Sequence, residues 1–204
     1  MTFTSLRAAS FCCEAIQKSF AFVFKNEDKR NWIASSLHSS QRRLNHRFLK
    51  SSTVASYLST LEKAYIVYQA HRFDIKGKEQ LKTLSKFYVA DTGIRNALLG
   101  YSDGDMGHVL ETVVYFELLR RGYRVFIGKW YDSEVDFLAI RQDTRKYYQV
   151  TLSLMDESVK ARELAPLAAI HDNYEKSVLS MDKTYITNHE GIRFENIIDF
   201  LLSE

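Results

Sequence analysis

Cysteine, proline and long apolar runs are scarce in this sequence. Its two cysteines, Cys12 and Cys13, are adjacent, so the chain has neither the ligand spacing of a zinc site nor the set of cysteines that a disulfide framework requires. Proline occurs once, as Pro166. No apolar run approaches the roughly 20 residues that span a bilayer. Glu14 and Lys18 interrupt the apolar N-terminal segment before it resembles a signal peptide. We therefore expect a soluble, cytoplasmic protein that makes no membrane contact.

The overall composition is that of a folded protein, and its charge is unevenly distributed. The 204 residues are 46% hydrophobic and 26% charged, which excludes a disordered chain and suits one large or two small domains. Residues 1–85 hold 14 Lys and Arg against 6 Asp and Glu, whereas residues 86–204 hold 14 against 19. A basic first part predicts contact with a polyanion, and a solvated basic face explains it equally well.

The middle of the first part predicts a helix followed by a hairpin. Apolar residues from Val54 to Leu61 recur at helical spacing. Residues 64–72 then have the pattern of a strand, residues 74–79 that of a tight basic turn, and a second strand is predicted from Leu81. This order is typical of a winged helix-turn-helix, which contacts DNA or serves as a protein-contact module. The residues predicted to bind nucleic acid are Arg42, Arg43, Ser56, Lys63, Arg72, Lys76 and Lys78.

The second part predicts a mixed sheet covered by helices. An amphipathic helix is predicted over 104–122, with Leu110, Val113, Val114 and Leu118 on its buried side. Its cationic last turn and its stop are Arg120, Arg121 and Gly122. Further elements follow in the order strand, strand, strand, helix, strand and helix, at about 123–128, 134–140, 146–154, 157–170, 177–181 and 194–203. Such an order indicates an α/β layout.

Four polar residues stand among apolar neighbours in these elements. A period of two places Glu134 and Asp136 on one face of their strand. If Gln149 shares that face and Glu111 reaches across from the helix, their oxygens form a site suited to Mg²⁺. Such a cation activates water and stabilises a phosphodiester under attack. Carboxylates beside strands are also commonly solvated or salt-bridged, which is the alternative.

The order of four elements resembles the PD-(D/E)xK nuclease core. These are a helix that carries a Glu, a hairpin, the motif Val-Asp-Phe and a strand with a polar-x-polar pair. Residues from about 53 to 203 also resemble the C-terminal half of a bacterial and archaeal family of P-loop ATPases. The resemblance rests on motifs such as Arg72-Phe-Asp-Ile-Lys-Gly-Lys78, Lys86-Phe-Tyr-Val-Ala-Asp91 and Glu134-Val-Asp-Phe137. Further matching segments are 57–65, 92–101, 110–123, 148–150, 171–182 and 197–202.

The resemblance implies a winged-helix-like domain over 1–85 followed by a PD-(D/E)xK nuclease-like mixed-sheet domain over 86–204. It implies that Glu111, Asp136 and Gln149 hold Mg²⁺ or Mn²⁺. In that family an AAA-like ATPase domain comes first, but no GxxxxGK[ST] motif occurs in this chain. No ATPase activity is therefore expected from it, and the implied partners are DNA and a P-loop ATPase domain or chain.

One departure from the family pattern concerns catalysis. Thr151 occupies the position of the lysine in the nuclease signature. The predicted catalytic set is therefore Glu111, Asp136, Gln149 and Thr151. Lys160 or Arg162 is a candidate for a migrated cation, and His108 for a second partner of Glu111. Three hypotheses follow: a DNA-associated metal-dependent endonuclease, an inactive nuclease-fold domain that binds nucleic acid or a partner protein, and a regulator that acts through its winged helix alone.

Overall fold

The structure is a computed structural model that describes residues 51–81, 85–183 and 188–203. The helices in this part are α1 (Ser51–Lys63), α2 (Thr92–Leu99), α3 (Met106–Arg120), α4 (Glu157–Ala168) and α5 (Ile197–Leu202). The strands are β1 (Val67–Ala70), β2 (Arg72–Asp74), β3 (Glu79–Gln80), β4 (Lys86–Val89), β5 (Arg124–Trp130), β6 (Ser133–Arg141), β7 (Thr144–Val150), β8 (Glu175–Ser180), β9 (Asn188–His189) and β10 (Ile192–Asn196). The predicted mixed α/β class is confirmed. No helix among these is long and apolar enough to cross a membrane.

The described residues divide into two compact units. Residues 51–67 and Gly93–Gly100 belong to the first, and the described residues of Tyr68–Thr92 and Tyr101 onward belong to the second. This division differs from the predicted boundary between residues 85 and 86. The second unit already contains β2 and β3, because β2 pairs with β5 of its sheet.

Helix α1 of the first unit agrees with the predicted amphipathic pattern. Val54 and Leu61 are buried, whereas Ser56 and Lys63 on the other face are exposed. The chain leaves the helix through Tyr65, whose φ of 57° lies in the left-handed region that ends helices. The exposed polar face is therefore available to solvent along its length.

The second unit is built on an eight-stranded sheet with the order β3-β2-β5-β6-β7-β8-β10-β9. Neighbours pair antiparallel in β2–β3, β5–β6, β6–β7 and β9–β10, and parallel in β2–β5, β7–β8 and β8–β10. Strands β1 and β4 form a separate two-stranded sheet. The mixed sheet thus follows from three consecutive antiparallel strands that are extended on both sides by crossovers.

The predicted hairpin over 64–81 is altered in one respect. The expected first strand is two strands, β1 and β2, and β2 and β3 form the hairpin at the edge of the large sheet. Asp74 Oδ1 accepts the Lys76 N–H at 3.0 Å within the turn, and a Cβ on Gly77 would lie 2.7 Å from Asp74 Oδ2. The hairpin is therefore a sheet edge, whereas the winged-helix interpretation requires a separate wing.

Helices cover both faces of the sheet, because side chains alternate along its central strands. One apolar cluster joins the sheet residues Ile127, Ala139 and Tyr148 to the α3 residues Leu110, Val114 and Leu118 and to Phe200 of α5. A second cluster joins Phe126, Leu138 and Tyr147 to Leu164 and Leu167 of α4. We call these the α3 face and the α4 face.

The predicted helix over 104–122 is confirmed as α3. It ends at Gly122, whose φ of +78° suits glycine, as the N–H of Gly122 bonds the carbonyl oxygen of Leu119 at 2.9 Å. Near this end the buried Glu117 accepts hydrogen bonds from Arg120 and Arg121, and these bonds lower the pKa of its carboxyl. Arg121 also donates to the carbonyl oxygen of Phe200. The C-terminal helix is thereby fastened to the helix that carries Glu111.

Candidate functional site

The candidate site forms where β6 carries an extra residue. Phe126 of β5 pairs with Leu138, whereas Gly128 pairs with Val135, so two steps along β5 correspond to three along β6. This β-bulge contains Asp136 and Phe137, and bulges bend a strand and redirect its side chains. The simple alternation assumed from the sequence therefore ends at Asp136.

Asp136 lies where the ladder between β6 and β7 also ends. The last residues paired between these strands are Phe137 and Tyr148. Beyond them side chains continue the contact: Asp136 Oδ2 accepts the Val150 N–H at 2.8 Å, and Gln149 Oε1 accepts the Asp136 N–H at 3.2 Å. These bonds hold a carboxyl group that is only 9% exposed in a fixed orientation.

Gln149 is held from the α4 face. Its neighbour at a period of two, Tyr147, belongs to the α4-face cluster. Gln149 Nε2 donates to Glu163 Oε2 of α4 at 2.8 Å, and the other Glu163 oxygen accepts from Arg162 at 2.7 Å. The structure therefore brings Gln149 to Asp136, as predicted, but from the side of the sheet opposite α3 and Glu111.

A half-buried lysine lies among the carboxylates on the α3 face. Lys86, the first residue of β4, places its ammonium 2.8 Å from Glu134 Oε1 and 3.9 Å from Glu111 Oε2. Arg72 Nη2 lies 2.8 Å from the other oxygen of Glu134. Glu134 is thus neutralised by two cations, which removes it from the set of available acidic ligands.

The protonation of this cluster is set by burial and by mutual repulsion. Burial and the charge of Glu111 raise the pKa of Asp136 to about 8, and the Lys86 ammonium opposes this shift only in part. Burial alone would lower the pKa of Lys86, but the three surrounding carboxylates raise it above its usual value. At neutral pH the site consequently holds a charged ammonium and a largely protonated Asp136.

Tyr88 adds a phenol beside the same carboxylates. Its hydroxyl is buried and has no hydrogen-bond partner within the described residues. Its ring stacks on Tyr115 of α3, with centroids 4.3 Å apart and an interplanar angle of 19°. Burial and the charges of Glu111 and Asp136 raise the pKa of Tyr88. The phenol is therefore a neutral hydroxyl beside an acidic site.

The remaining predicted catalytic residues lie in separate environments. Thr151 is buried, and its hydroxyl lies 3.4 Å from the carbonyl oxygen of Ser153. The position of the signature lysine therefore carries an uncharged side chain. Lys160 pairs with the exposed Glu157 at 3.4 Å. His108 Nδ1 lies 3.7 Å from Glu111 Oε1, so the proposed partnership with Glu111 is present in the geometry. No three Asp, Glu, His or Cys side chains of the described chain are grouped as a metal site.

The predicted nucleic-acid-binding residues are dispersed. Arg42 and Arg43 lie outside the described residues. Ser56 and Lys63 are exposed in the first unit, and Lys76 and Lys78 are exposed on the hairpin turn of the second. Arg72 was expected beside them, but it is 7% exposed and bonds Glu134 inside the candidate site, so it does not contribute to an exposed basic surface.

Sequence reasoning did not identify Lys86, Tyr88 and Glu163 as site residues. Lys86 and Tyr88 alternate on a short strand, which is a period-two signal, but only the fold shows that this strand lies against α3 and β6. Glu163 carries no local signal, because it reaches the site through Gln149. Lys86 and Tyr88 precede the recognised motif in the sequence and Glu163 follows it, so only long-range packing brings these residues to the site.

Comparison with known proteins yields relatives without an assigned activity. Residues 16–105 match a family described as "Domain of unknown function (DUF8612)". An uncharacterized protein of Haemophilus influenzae is 36% identical over 150 residues, which cover 74% of this chain and 37% of that protein. An uncharacterized protein of Methanocaldococcus jannaschii is 34% identical over 154 residues, covering 71% and 32%. The chain thus spans about a third of the length of the curated relatives it matches. No solved structure matches it significantly.

Proposed function

We propose that the second unit is a PD-(D/E)xK nuclease-like module, in which Asp136 and Glu111 hold Mg²⁺ or Mn²⁺ and a phosphodiester is cleaved. The observation that carries this proposal is the convergence of Asp136, Glu111 and Lys86 at a β-bulge where two central strands separate. Buried carboxylates of this kind are costly to a fold and are characteristic of sites that bind cations or substrates.

The residues present fit a magnesium ion that is held by only a few protein ligands. Glu134 is already neutralised by two cations, so the proposed ligands are Asp136 and Glu111. Glu111 lies 3.9 Å from the Lys86 ammonium and 3.7 Å from His108 Nδ1, and a bound ion would compete with these contacts. Mg²⁺ is commonly held by one or two carboxylates together with water and substrate phosphates, so a third acidic ligand is not required. A bound divalent cation would supply charge neutralisation and an activated water.

The chain's own groups have distinct proposed roles. Gln149 and Glu163 position Asp136 through the hydrogen bond to its main-chain N–H. Lys86 supplies the positive charge that Thr151 lacks, and it donates to a non-bridging oxygen of the phosphate. As water bonds to phosphorus and gives up a proton to solvent, the bond to the leaving oxygen breaks and that oxygen takes up a proton from solvent. The ammonium stabilises the negative charge that accumulates on the non-bridging oxygens during this step.

Cation binding is tested by titration calorimetry with Mn²⁺ at pH 7. Because Asp136 is largely protonated there, binding should release close to one proton, which two buffers of different ionisation enthalpy will reveal. Asp136→Asn should abolish the proton release and weaken Mn²⁺ binding. The matched control is Glu157→Gln, which removes an exposed carboxylate and should change neither quantity. Unchanged binding in Asp136→Asn would refute the cation site.

Cleavage is tested separately with plasmid and branched DNA. The wild-type protein should convert these substrates only when Mn²⁺ or Mg²⁺ is present, and Asp136→Ala and Lys86→Met should be inactive. Removing one donor that acts on developing charge lowers a rate by roughly 100-fold to 1,000-fold. Cleavage that persists in both variants would show that Asp136 and Lys86 do not belong to the cleavage site.

The second candidate is a catalytically inactive nuclease-fold domain that binds nucleic acid or a partner protein. The uncharged Thr151 and the neutralised Glu134 favour it. Under this candidate DNA binds and Mn²⁺ binds weakly, but no substrate is cleaved under any condition. The two assays above therefore separate the candidates.

The proposal also includes a surface that contacts DNA and a partner domain for which the longer relatives leave room. The exposed Lys76 and Lys78 of the hairpin are proposed to contact phosphate, and the winged-helix-like domain predicted over 1–85 is proposed for the first unit. Each phosphate contact that is lost should lower the slope of log affinity against log salt by about one. The double change Lys76→Gln and Lys78→Gln should therefore reduce that slope by about two. The length of the relatives leaves room for a P-loop ATPase domain as partner.

A further inference from the structure

A cavity of about 310 Å³ lies on the α4 face of the sheet, apart from the acidic site. Its apolar lining includes Ile75 and Ile170, which belong to the α4-face cluster. The acidic site packs against α3 on the other face. The cavity is therefore separate from the acidic site, although Lys76 and Lys78 in its lining are also the residues proposed above to contact DNA phosphate.

Three cations line this cavity without a carboxylate counter-ion in the described part of the chain. These are Lys76 and Lys78 from the hairpin turn and Arg145 from β7. Arg145 lies over aromatic rings, 5.7 Å from the Phe73 centroid and 5.6 Å from that of Tyr174. Unneutralised cations around a concave surface attract an anionic ligand.

The one carboxylate in the lining, Asp172, is already engaged. It accepts the Tyr147 hydroxyl at 2.6 Å and the Tyr174 N–H at 3.3 Å, and it lies 3.9 Å from the Lys176 ammonium. These contacts hold the loop after α4 against β7. Asp172 therefore sets one negative charge against the three positive charges of Lys76, Lys78 and Arg145, and the lining keeps a net positive charge.

Aromatic side chains lie between the cations. Trp130 and Tyr174 line the cavity, and Tyr131 beside Trp130 accepts a hydrogen bond from the Lys76 ammonium at 2.5 Å. Tyr174 is 40% exposed, so part of its ring is open to a ligand. Basic groups interleaved with aromatic rings are the arrangement on which single-stranded nucleic acids bind, with phosphates on the cations and bases on the rings.

We propose that this cavity binds one nucleotide unit, with its phosphate at Lys78 and Arg145 and its base against Trp130 and Tyr174. The volume is at the lower end of ligand pockets, which suits one nucleotide and excludes a base-paired duplex. A free nucleotide and an unpaired strand present the same chemistry. The proposal does not depend on cation binding at Asp136.

The test uses the fluorescence of Trp130 in the full chain, with EDTA present to exclude the proposed metal chemistry. The sequence contains two tryptophans, and Trp32→Phe leaves Trp130 as the reporter. Adenosine monophosphate should quench or shift its emission in a saturable manner. Adenosine and inorganic phosphate should each bind at least about tenfold more weakly, since each lacks one of the two contacts. A short oligothymidylate that binds more tightly than the mononucleotide identifies the strand as the ligand, and the reverse order identifies the free nucleotide.

Variants in the same background locate the binding. Arg145→Gln and Lys78→Gln should each lower the affinity about tenfold, the loss expected for one charged hydrogen bond. Arg193→Gln removes the same charge from an exposed sheet residue outside the cavity and should bind as the parent does. Because Lys78 is exposed on a turn, its variant remains informative if Arg145→Gln is unstable. No response to either nucleotide probe, or equal losses in all three variants, would overturn the proposal.

Discussion

Asp136 is the residue whose energetics and proposed chemistry are most closely linked. Burial and the nearby Glu111 both penalise its ionised form, and its pKa is raised to about 8. The two hydrogen bonds at the end of the β6–β7 ladder nevertheless hold it in place. Ionisation of this carboxyl destabilises the folded protein when no ligand is present, and a cation that replaces the proton would stabilise the ionised form.

This raised pKa predicts how stability depends on pH. The folded protein retains the Asp136 proton up to a pKa of about 8, whereas the unfolded chain releases it near 3.9. Between these values the folded state binds more protons, so the free energy of unfolding falls as pH rises. Asp136→Asn should remove this loss and be more stable than wild type at pH 8 by roughly 1–4 kcal/mol.

Urea denaturation in EDTA measures this effect. At pH 5 the carboxyl is protonated in the folded wild type, so the difference between the two proteins should be smaller there than at pH 8. Equal pH profiles for wild type and Asp136→Asn would show that Asp136 ionises normally.

Lys86 predicts a second residue-scale effect. Its ammonium lies 2.8 Å from Glu134 Oε1 and 3.9 Å from Glu111 Oε2 within a partly enclosed space, so Lys86→Met leaves Glu134 with only Arg72. The change should lower the free energy of unfolding by roughly 2–4 kcal/mol, somewhat less than for a fully buried pair. Lys160→Met is the matched control, because its partner Glu157 is exposed and such pairs contribute less than about 1 kcal/mol. Equal effects of the two changes in denaturation would contradict a special role for Lys86.

At the scale of elements, the bulge in β6 depends on a close approach at Gly128. A Cβ at this position would lie 3.1 Å from Ile75 Cδ1 and 3.2 Å from Val135 Cβ. Gly128→Ala should therefore displace β2 or β6 and cost roughly 1–3 kcal/mol, the usual cost of overpacking. Gly107→Ala in α3 meets nothing within 4 Å and should be neutral or stabilising by up to about 1 kcal/mol. Thermal unfolding of both variants tests the contrast, and a harmless Gly128→Ala would show that the strands adjust freely.

The sequence predicts these elements unequally well, for physical reasons. The predicted positions of α3 and α4 agree with the structure to within a few residues. In α3 the buried residues Leu110, Val114 and Leu118 recur at helical spacing, as predicted, whereas Val113, expected on the same side, is 36% exposed. The bulge at Asp136 has no local signature, because it reflects the register between β5 and β6. The hairpin turn is predicted over residues 74–79, but its membership of the large sheet depends on pairing between β2 and β5, which are far apart in sequence.

At the scale of the molecule, the topology explains which site residues a sequence can reveal. Glu111, Asp136 and Gln149 come from α3, β6 and β7, which are close together in the sequence, so their association follows from the motif order. Lys86 and Arg72 reach the same site from strands that precede α3, and their approach depends on the sheet order. Local pattern thus predicts the acids, whereas the cations that neutralise them are determined by long-range packing.

The same topology predicts a gradient of protection across the sheet. Phe137 and Leu138 of β6 and Val178 of β8 are fully buried, whereas both residues of β3 and both of β9, at the two edges, are exposed. Opening of a central strand requires loss of both apolar clusters, but an edge strand opens at little cost. Amide hydrogen exchange followed by mass spectrometry should therefore be at least about a thousandfold slower in β6 and β8 than in β3 and β9. Exchange rates from the urea-unfolded chain provide the reference, and equal protection of β9 and β6 would contradict the strand order.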